Sequence, residues 1–313
     1  MKPILSLNDL AWRLGVPLAR LQEIASDLVP HYRLQVLKKG DKARHLYVPE
    51  PELKRLLRRI KKIILDPLPL EAAAHGGVRG KSPRTNAECH LAKRCLVTVD
   101  VKQFFPQVRH SVVYRMFRAE FGFGRDVART LTRLTTYRAQ LPQGSPTSTA
   151  IANLLLTMPL DRLVGTAAQD RNVDYSRFVD DTAMSGDNPR PLINDVARQL
   201  STRGLRIHRP NTREPEKSKL RIMPRTGPQK ITGLNVNSAT CPSVPRAGRD
   251  NIRAAIHALP TLSHAETQKA VRSIRGRIQH VVRLNPGTGA RLERYLQSRL
   301  DERARMTANK HSA

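Results

Sequence analysis

Cysteine, acidic side chains, aromatic rings and long apolar runs are all scarce in this chain of 313 residues. Its three cysteines, Cys89, Cys95 and Cys241, are odd in number and widely spaced. That excludes a disulfide framework or a zinc knuckle and suits a reducing compartment. No apolar run approaches the ~20 residues needed to span a bilayer. The opening "MKPILSLNDLAWRLG" lacks both an apolar core and a small-residue cleavage site for secretion, so the expectation is a cytoplasmic protein without a membrane partner. Acids are few: 26 Asp+Glu stand against 55 Lys+Arg, a formal net charge of +29. Such an excess concerns partners rather than fold. Because it is spread along the chain, it favours nucleic acid over an amphipathic membrane-surface tail or a merely solvated basic surface.

The length suits two or three packed subdomains, and a hydrophobic fraction of 39% is adequate for a core. "SLND" (6–9) opens a short helix that Gly15 ends, and a second helix runs from Pro17 to Leu28. The pair has helix-turn-helix spacing. It offers few polar groups for base edges, so two packing helices are the better reading. "YRLQVLKKGDKARHLYVPEP" (32–51) reads as a hairpin turning at "KGDK". A basic helix follows with Leu53, Leu56, Leu57, Ile60, Ile63 and Ile64 on one stripe. "CLVTVD" (95–100) reads as a buried strand with Asp100 at its exit. Helical patterns cover 111–136 and 147–164, strands surround residues 180–181, and "LINDVARQLSTRG" is an amphipathic helix. "LRIHR" and "KITGLNVN" are expected strands. From about 245 the pattern is helical throughout, beginning with a capping box at Ser263–Glu266.

In "YSRFVDDTAMSG" (175–186), two adjacent carboxylates sit in a run that otherwise reads as a buried strand. Neighbouring Asp residues repel, and burying ionised carboxylate is costly without compensation. A bare Asp-Asp pair is usually solvated loop. Here the apolar flank of Asp180 and Asp181, and a second acid-terminated strand ending at Asp100, favour a site for hard divalent cations, which take oxygen ligands.

These segments resemble a known family. "VTVDVKQFFPQV" is similar to the A motif of reverse transcriptases, "LPQGSPTSTAIANLLL" to their B motif and "YSRFVDDTAMSG" to their Tyr-x-Asp-Asp motif. "KLRIM" and "QKITGLNVN" resemble the two elements that follow, in the same order and spacing. "TNAECH", "ITG", "KKGDKARHLYVP", "AAAHGGVRGKS" and "IRGRIQHVVRLNP" are similar to the bacterial retron subgroup, so the likeness runs from about Leu5 to Leu300.

The resemblance implies an α/β (α+β) right-hand polymerase with β-hairpin fingers, an α/β palm and a helical thumb. Its domains would be an N-terminal helical extension over 1–30, fingers and palm over 31–240, and a thumb over 241–313. It implies two Mg²⁺ ions held by Asp100, Asp180 and the Val101 carbonyl, with Asp181 completing the charge. Lys219, or Lys217 in a competing register, would neutralise the pyrophosphate. Phe105 stands at the sugar gate, Gln143 and Gly144 lie against the incoming nucleotide, and Arg44 would clamp its triphosphate, with Lys39 or Lys42 assisting. Asn86 and His90 are read either as RNA contacts or as interior hydrogen-bonding residues; Lys269, Arg272 and Arg275 would grip duplex RNA. The implied activity is RNA-directed DNA synthesis on a cognate structured RNA, using dNTPs. It would be primed from an RNA 2′-OH to give branched RNA–DNA, in an anti-phage system with a separate effector protein. Another bacterial reverse transcriptase, of group II intron or defence-associated type, and a non-catalytic RNA-binding scaffold are the alternatives. The chain departs from the family at Phe178 (usually Tyr), at Val179 (commonly Ala) and in "HGG" where many relatives have His-Gly-Phe.

Overall fold

The computed structural model describes residues 2–39, 42–208 and 218–311. Helices α1 (Leu7–Leu14) and α2 (Leu18–Ser26) come first; the Ser6 side chain accepts from the Asp9 amide and caps α1. Leu10, Leu14, Leu21 and Ile24 are buried in the main core, which makes the pair packing helices. Strands β1 (Tyr32–Lys39) and β2 (Lys42–Pro49) pair antiparallel as the expected hairpin. Helix α3 (Pro51–Ile60), extended by a wider turn over Lys61–Leu65, buries Leu53, Leu56, Leu57, Ile60 and Ile64 and leaves Ile63 half-buried. After α4 (Pro83–Glu88) comes β3 (Cys95–Asp100).

The helical pattern over 111–136 resolves into two helices. Helix α6 (His110–Arg115) follows the short α5 (Phe104–Gln107), and α7 (Arg125–Thr135) starts after a break at "FGFG". The expected single helix over 147–164 is likewise broken. Helix α8 (Ser148–Leu156) and α9 (Arg162–Gln169) flank Met158, whose φ −120° and ψ 125° are extended. Proline disfavours helical backbone in the residue before it, and Pro159 acts here on Met158. Strands β4 (Asp174–Phe178) and β5 (Asp181–Gly186) form the Asp-Asp hairpin, and α10 (Leu192–Ser201) follows.

"LRIHR" gives no strand among the described residues; Ile207 makes an isolated antiparallel bridge to Val101. Strand β6 (Arg221–Pro224) completes a four-stranded sheet of order β4-β5-β3-β6. "KITGLNVN" yields the small hairpin β7 (Lys230–Ile231) and β8 (Leu234–Asn235), and the chain ends in α11 (Arg246–His257), α12 (His264–Leu284) and α13 (Pro286–His311).

By contacts, the chain divides into residues 1–82 with 95–222, and residues 83–94 with 223–313. The first unit is built on one large aliphatic core. The second has its own, in which Ile252, Ile256, Ile274, Ile278, Val281, Leu292 and Leu296 knit the last three helices together. The capping box of α12 is present in both directions. None of the described helices is long and apolar enough to cross a membrane.

Candidate active site

The alternation of β3 buries Val97 and Val99 and carries Asp100 to the strand's end, where it remains only 8% exposed. Its register partner across β5 is Asp181, and Asp180 lies in the two-residue turn between Phe178 and Asp181. The three acids therefore come from two adjacent strands, as the sequence suggests. Directly opposed residues on paired strands have Cβ atoms about 5 Å apart.

Their electrostatics match that crowding. Asp180 is raised above the ordinary carboxylate range, first by lost hydration and then by Asp100, with partial relief from its own backbone amide, Lys219 and Arg177. Asp181 lies at the exposed start of β5. Even so, protein surrounding one side of it, with Asp180 and Asp100, pushes its carboxyl up to about 7. Lys219 supplies the local counter-charge, its Nζ donating to Asp100 Oδ2 at 2.6 Å. Lys217, the competing register, lies outside the described residues.

Among the described residues, no three His, Cys, Asp or Glu side chains converge into a ready-made metal cage. Asp100 is engaged by Lys219 instead. The donor set nonetheless suits a hard divalent cation: oxygen-only, anionic and strained by its own repulsion, a repulsion that bound positive charge relieves. Such ions commonly take only one or two carboxylates and fill the remaining positions with water and substrate phosphate. The Val101 carbonyl fits the same set. The flanking bonds, His208 N to Asp100 O and Lys102 N to Arg206 O, leave Val101's own carbonyl directed away from Ile207, towards the β5 side.

Phe105, on α5 just after β3, is half-buried and meets Phe104 edge to face at 5.3 Å between centroids. Gln143 accepts from the Tyr47 amide through its carbonyl at 2.8 Å, which ties the B-motif loop to the β1–β2 hairpin. Gly144 has φ +103°, and a Cβ there would stand 3.2 Å from the Tyr47 carbonyl oxygen, so both conformation and space demand glycine. Arg44 is exposed on β2 opposite Leu37, among unburied neighbours. The side chains of Lys39 and Lys42 lie outside the description.

In the second unit, Lys269, Arg272 and Arg275 are all exposed on α12, whose Ile274 and Ile278 are buried. Asn86 and His90 are different: at 1% and 0% exposure they are interior residues. Of the two readings from sequence, this enclosure favours interior hydrogen-bonding residues over contacts with RNA.

Several residues around the site were not singled out from the sequence. Arg138 places its guanidinium 5.6 Å from the ring centroids of both Tyr47 and Tyr137. Gly76 packs so closely on the Asp-Asp turn that a Cβ there would lie 2.5 Å from Val179 Cγ2 and 2.7 Å from Val179 N. The middle "G" of "HGG" is thus where the turn leans. Arg177 and Asp161 form a fully buried ion pair beneath that turn. The one signal available was an Arg on the same strand face as Tyr175, inside an apolar run.

Residues 36–222 match the family model described as reverse transcriptase (RNA-dependent DNA polymerase). The chain is 31% identical to the retron Mx65 reverse transcriptase of Myxococcus xanthus, over 92% of this chain and 70% of that protein. It is 31% identical to the retron Mx162 enzyme of the same organism (80% and 58%) and 27% identical to the retron Ec86 enzyme of Escherichia coli (95% and 90%). Among solved structures, a Candida albicans telomerase determined with a fragment of telomeric RNA superposes at a TM-score of 0.50. It does so with 10% identity over 87% of this chain and 63% of that one, a likeness of fold alone. With its mixed helices and antiparallel strands, the molecule has the right-hand polymerase fold. The chain belongs to the reverse transcriptase family and, within it, to the bacterial retron type, whose activity is RNA-directed DNA polymerisation.

Proposed function

We propose that this polymerase copies part of a structured RNA to which it is dedicated, starting from a 2′-OH of that RNA and yielding DNA branched from it. The observation that carries the catalytic part is the register pairing of Asp100 with Asp181, with Asp180 in the turn between β4 and β5. Asp100, Asp180 and the Val101 carbonyl would hold Mg²⁺, with Asp181 beside them. When bound, the metal supplies activation of the attacking hydroxyl and charge neutralisation on the departing pyrophosphate. Lys219, which donates to Asp100, would turn its ammonium towards the departing pyrophosphate and neutralise it once cations take over the carboxylate. Phe105 would exclude ribonucleotides by meeting a 2′-OH, Gln143 and Gly144 would line the dNTP, and Arg44 would reach its phosphates.

Residues 31–240 would serve as fingers and palm and 241–313 as thumb, with 1–30 an added helical brace. The exposed row Lys269, Arg272 and Arg275 would hold the RNA by shape and phosphates, since side chains cannot read the narrow A-form major groove. A place in anti-phage defence beside a separate effector protein belongs to the same proposal, as what the sequence resemblance to retron enzymes implies.

The experiment is purification with co-expressed cognate RNA, followed by dNTPs and Mg²⁺. RNase-resistant DNA covalently joined to RNA is expected. DNA without that linkage would favour a reverse transcriptase primed in another way, and absence of any DNA would leave an RNA-binding scaffold.

A further inference from the structure

We infer that Arg177 is a positioning residue for DNA synthesis, holding the Val179–Asp180 turn in the one backbone conformation that presents the acids. The inference rests on the catalytic reading of that turn and adds to it a residue that touches neither nucleotide nor metal.

In a chain with 55 basic residues, nearly all cations belong at the surface, yet the Arg177 side chain is 0% exposed. It meets Asp161, equally enclosed, through two parallel bonds, Nε to Oδ1 at 2.8 Å and Nη2 to Oδ2 at 2.6 Å. The Tyr175 hydroxyl donates to the same Asp161 at 2.8 Å. An ion pair this deep is a poor device for stability alone, because desolvation offsets its Coulomb gain and an apolar pair of like size often does as well. Its geometry suggests another use. Nη1 donates at once to the Asn153 side-chain oxygen at 2.8 Å and to the Val179 carbonyl at 2.6 Å.

Val179 needs that hold. Its φ is +62°, a left-handed conformation unfavourable for a β-branched residue, and it immediately precedes Asp180. A strained peptide persists only where its surroundings over-determine it, and such strain gathers at functional sites. The surroundings here are specific. The Arg177 amide donates to Ala73 O and its carbonyl accepts from His75 N, both at 2.8 Å, so residues 73–76 run beside β4. Asn153 donates to the Gly76 carbonyl at 2.7 Å, and Gly76 in turn lies directly against Val179. Arg177 is the hub. Its guanidinium links helix α8, the α8–α9 bend at Asp161 and the carbonyl of the strained residue, with the planar fork that lysine lacks.

The test uses protein co-purified with its RNA and measures single-nucleotide incorporation well below each variant's melting temperature. The double variant Arg177→Met with Asp161→Leu removes both charges together and leaves no unpaired ion, while the Tyr175 hydroxyl loses its acceptor and the Asn153 and Val179 oxygens lose their donor. Folded protein, retained RNA and a dNTP KM within about 2-fold of the parent are expected, with kcat lowered at least 30-fold. Arg177→Lys, which keeps the charge and loses the fork, should fall between. A folded double variant, or a folded Arg177→Lys, with kcat within about 3-fold of the parent would overturn the inference. So would failure of both to fold, since the pair would then be a structural requirement only. The catalytic reading is scored separately on the parent and on Asp180→Asn: an inactive parent sinks that reading before Arg177 is at issue.

Discussion

Asp181 is the residue at which the electrostatics are most exposed to experiment. Its carboxyl is pushed from the ordinary value to about 7, by lost hydration and by Asp180 and Asp100. The folded chain therefore keeps this proton where the unfolded chain has released it. Without metal, the stability linked to Asp181 is fully present below about pH 4 and is lost as pH rises through about 7. Thermal melting in EDTA at pH 5 and pH 8 should show that loss. Magnesium should restore stability at pH 8 and do little at pH 5, where protons compete for the carboxylates. A melting temperature unmoved by magnesium at pH 8 would argue against cation binding there. At the proposed sugar gate, Phe105→Ala should raise ribonucleotide use at least 10-fold relative to dNTPs in primer extension, while leaving dNTP incorporation measurable. Unchanged discrimination would remove Phe105 from that role.

At the scale of elements, the Asp-Asp hairpin depends on a segment remote in sequence. Gly76→Ala would place a methyl carbon inside contact distance of Val179 backbone and side chain. Overpacking of this kind costs about 1–3 kcal/mol, and here the strain falls on the turn itself. DNA synthesis should drop at least 10-fold with RNA binding intact, as read by extension and filter binding; full activity would mean that the turn does not lean on this glycine. By contrast, Ser263→Ala removes the α12 cap and should cost about 1 kcal/mol in denaturant melts without touching catalysis. The legible elements were those with strong local signals: the hairpin turn, the alternation of β3, the capping box and the apolar stripe of α3. Pro159 stands in "LLLTMPLD", but the apolar run on either side carries the signal of a continuous helix and masks the break at Met158. The weak "LRIHR" segment forms no strand among the described residues, where Ile207 makes an isolated bridge to Val101.

Over the whole molecule, the charge of +29 is expected to govern how the proposed RNA is held. Binding should weaken steeply with salt, and replacing Lys269, Arg272 and Arg275 together by Ala should reduce the slope of log K against log salt by up to about 3. A slope identical to the parent's would move the RNA elsewhere. The acids were legible because two strands each ended in carboxylate, a pattern that composition alone makes conspicuous in so basic a chain. Arg177 and Gly76 were not, because their importance lies in contacts with residues 73–76, 153 and 161 that no local period encodes. His90 and Asn86 were left open between interior and surface because a lone polar residue carries no burial signal of its own. The account as a whole turns on whether the carboxylates of β3 and β5 perform RNA-templated synthesis. The most direct measurement is DNA formation by the co-purified protein–RNA complex, with dNTPs and Mg²⁺, in the parent and in Asp180→Asn. The account predicts RNase-resistant DNA from the parent and at least a 100-fold loss in a variant that still folds and still carries its RNA. Undiminished DNA from Asp180→Asn would contradict it.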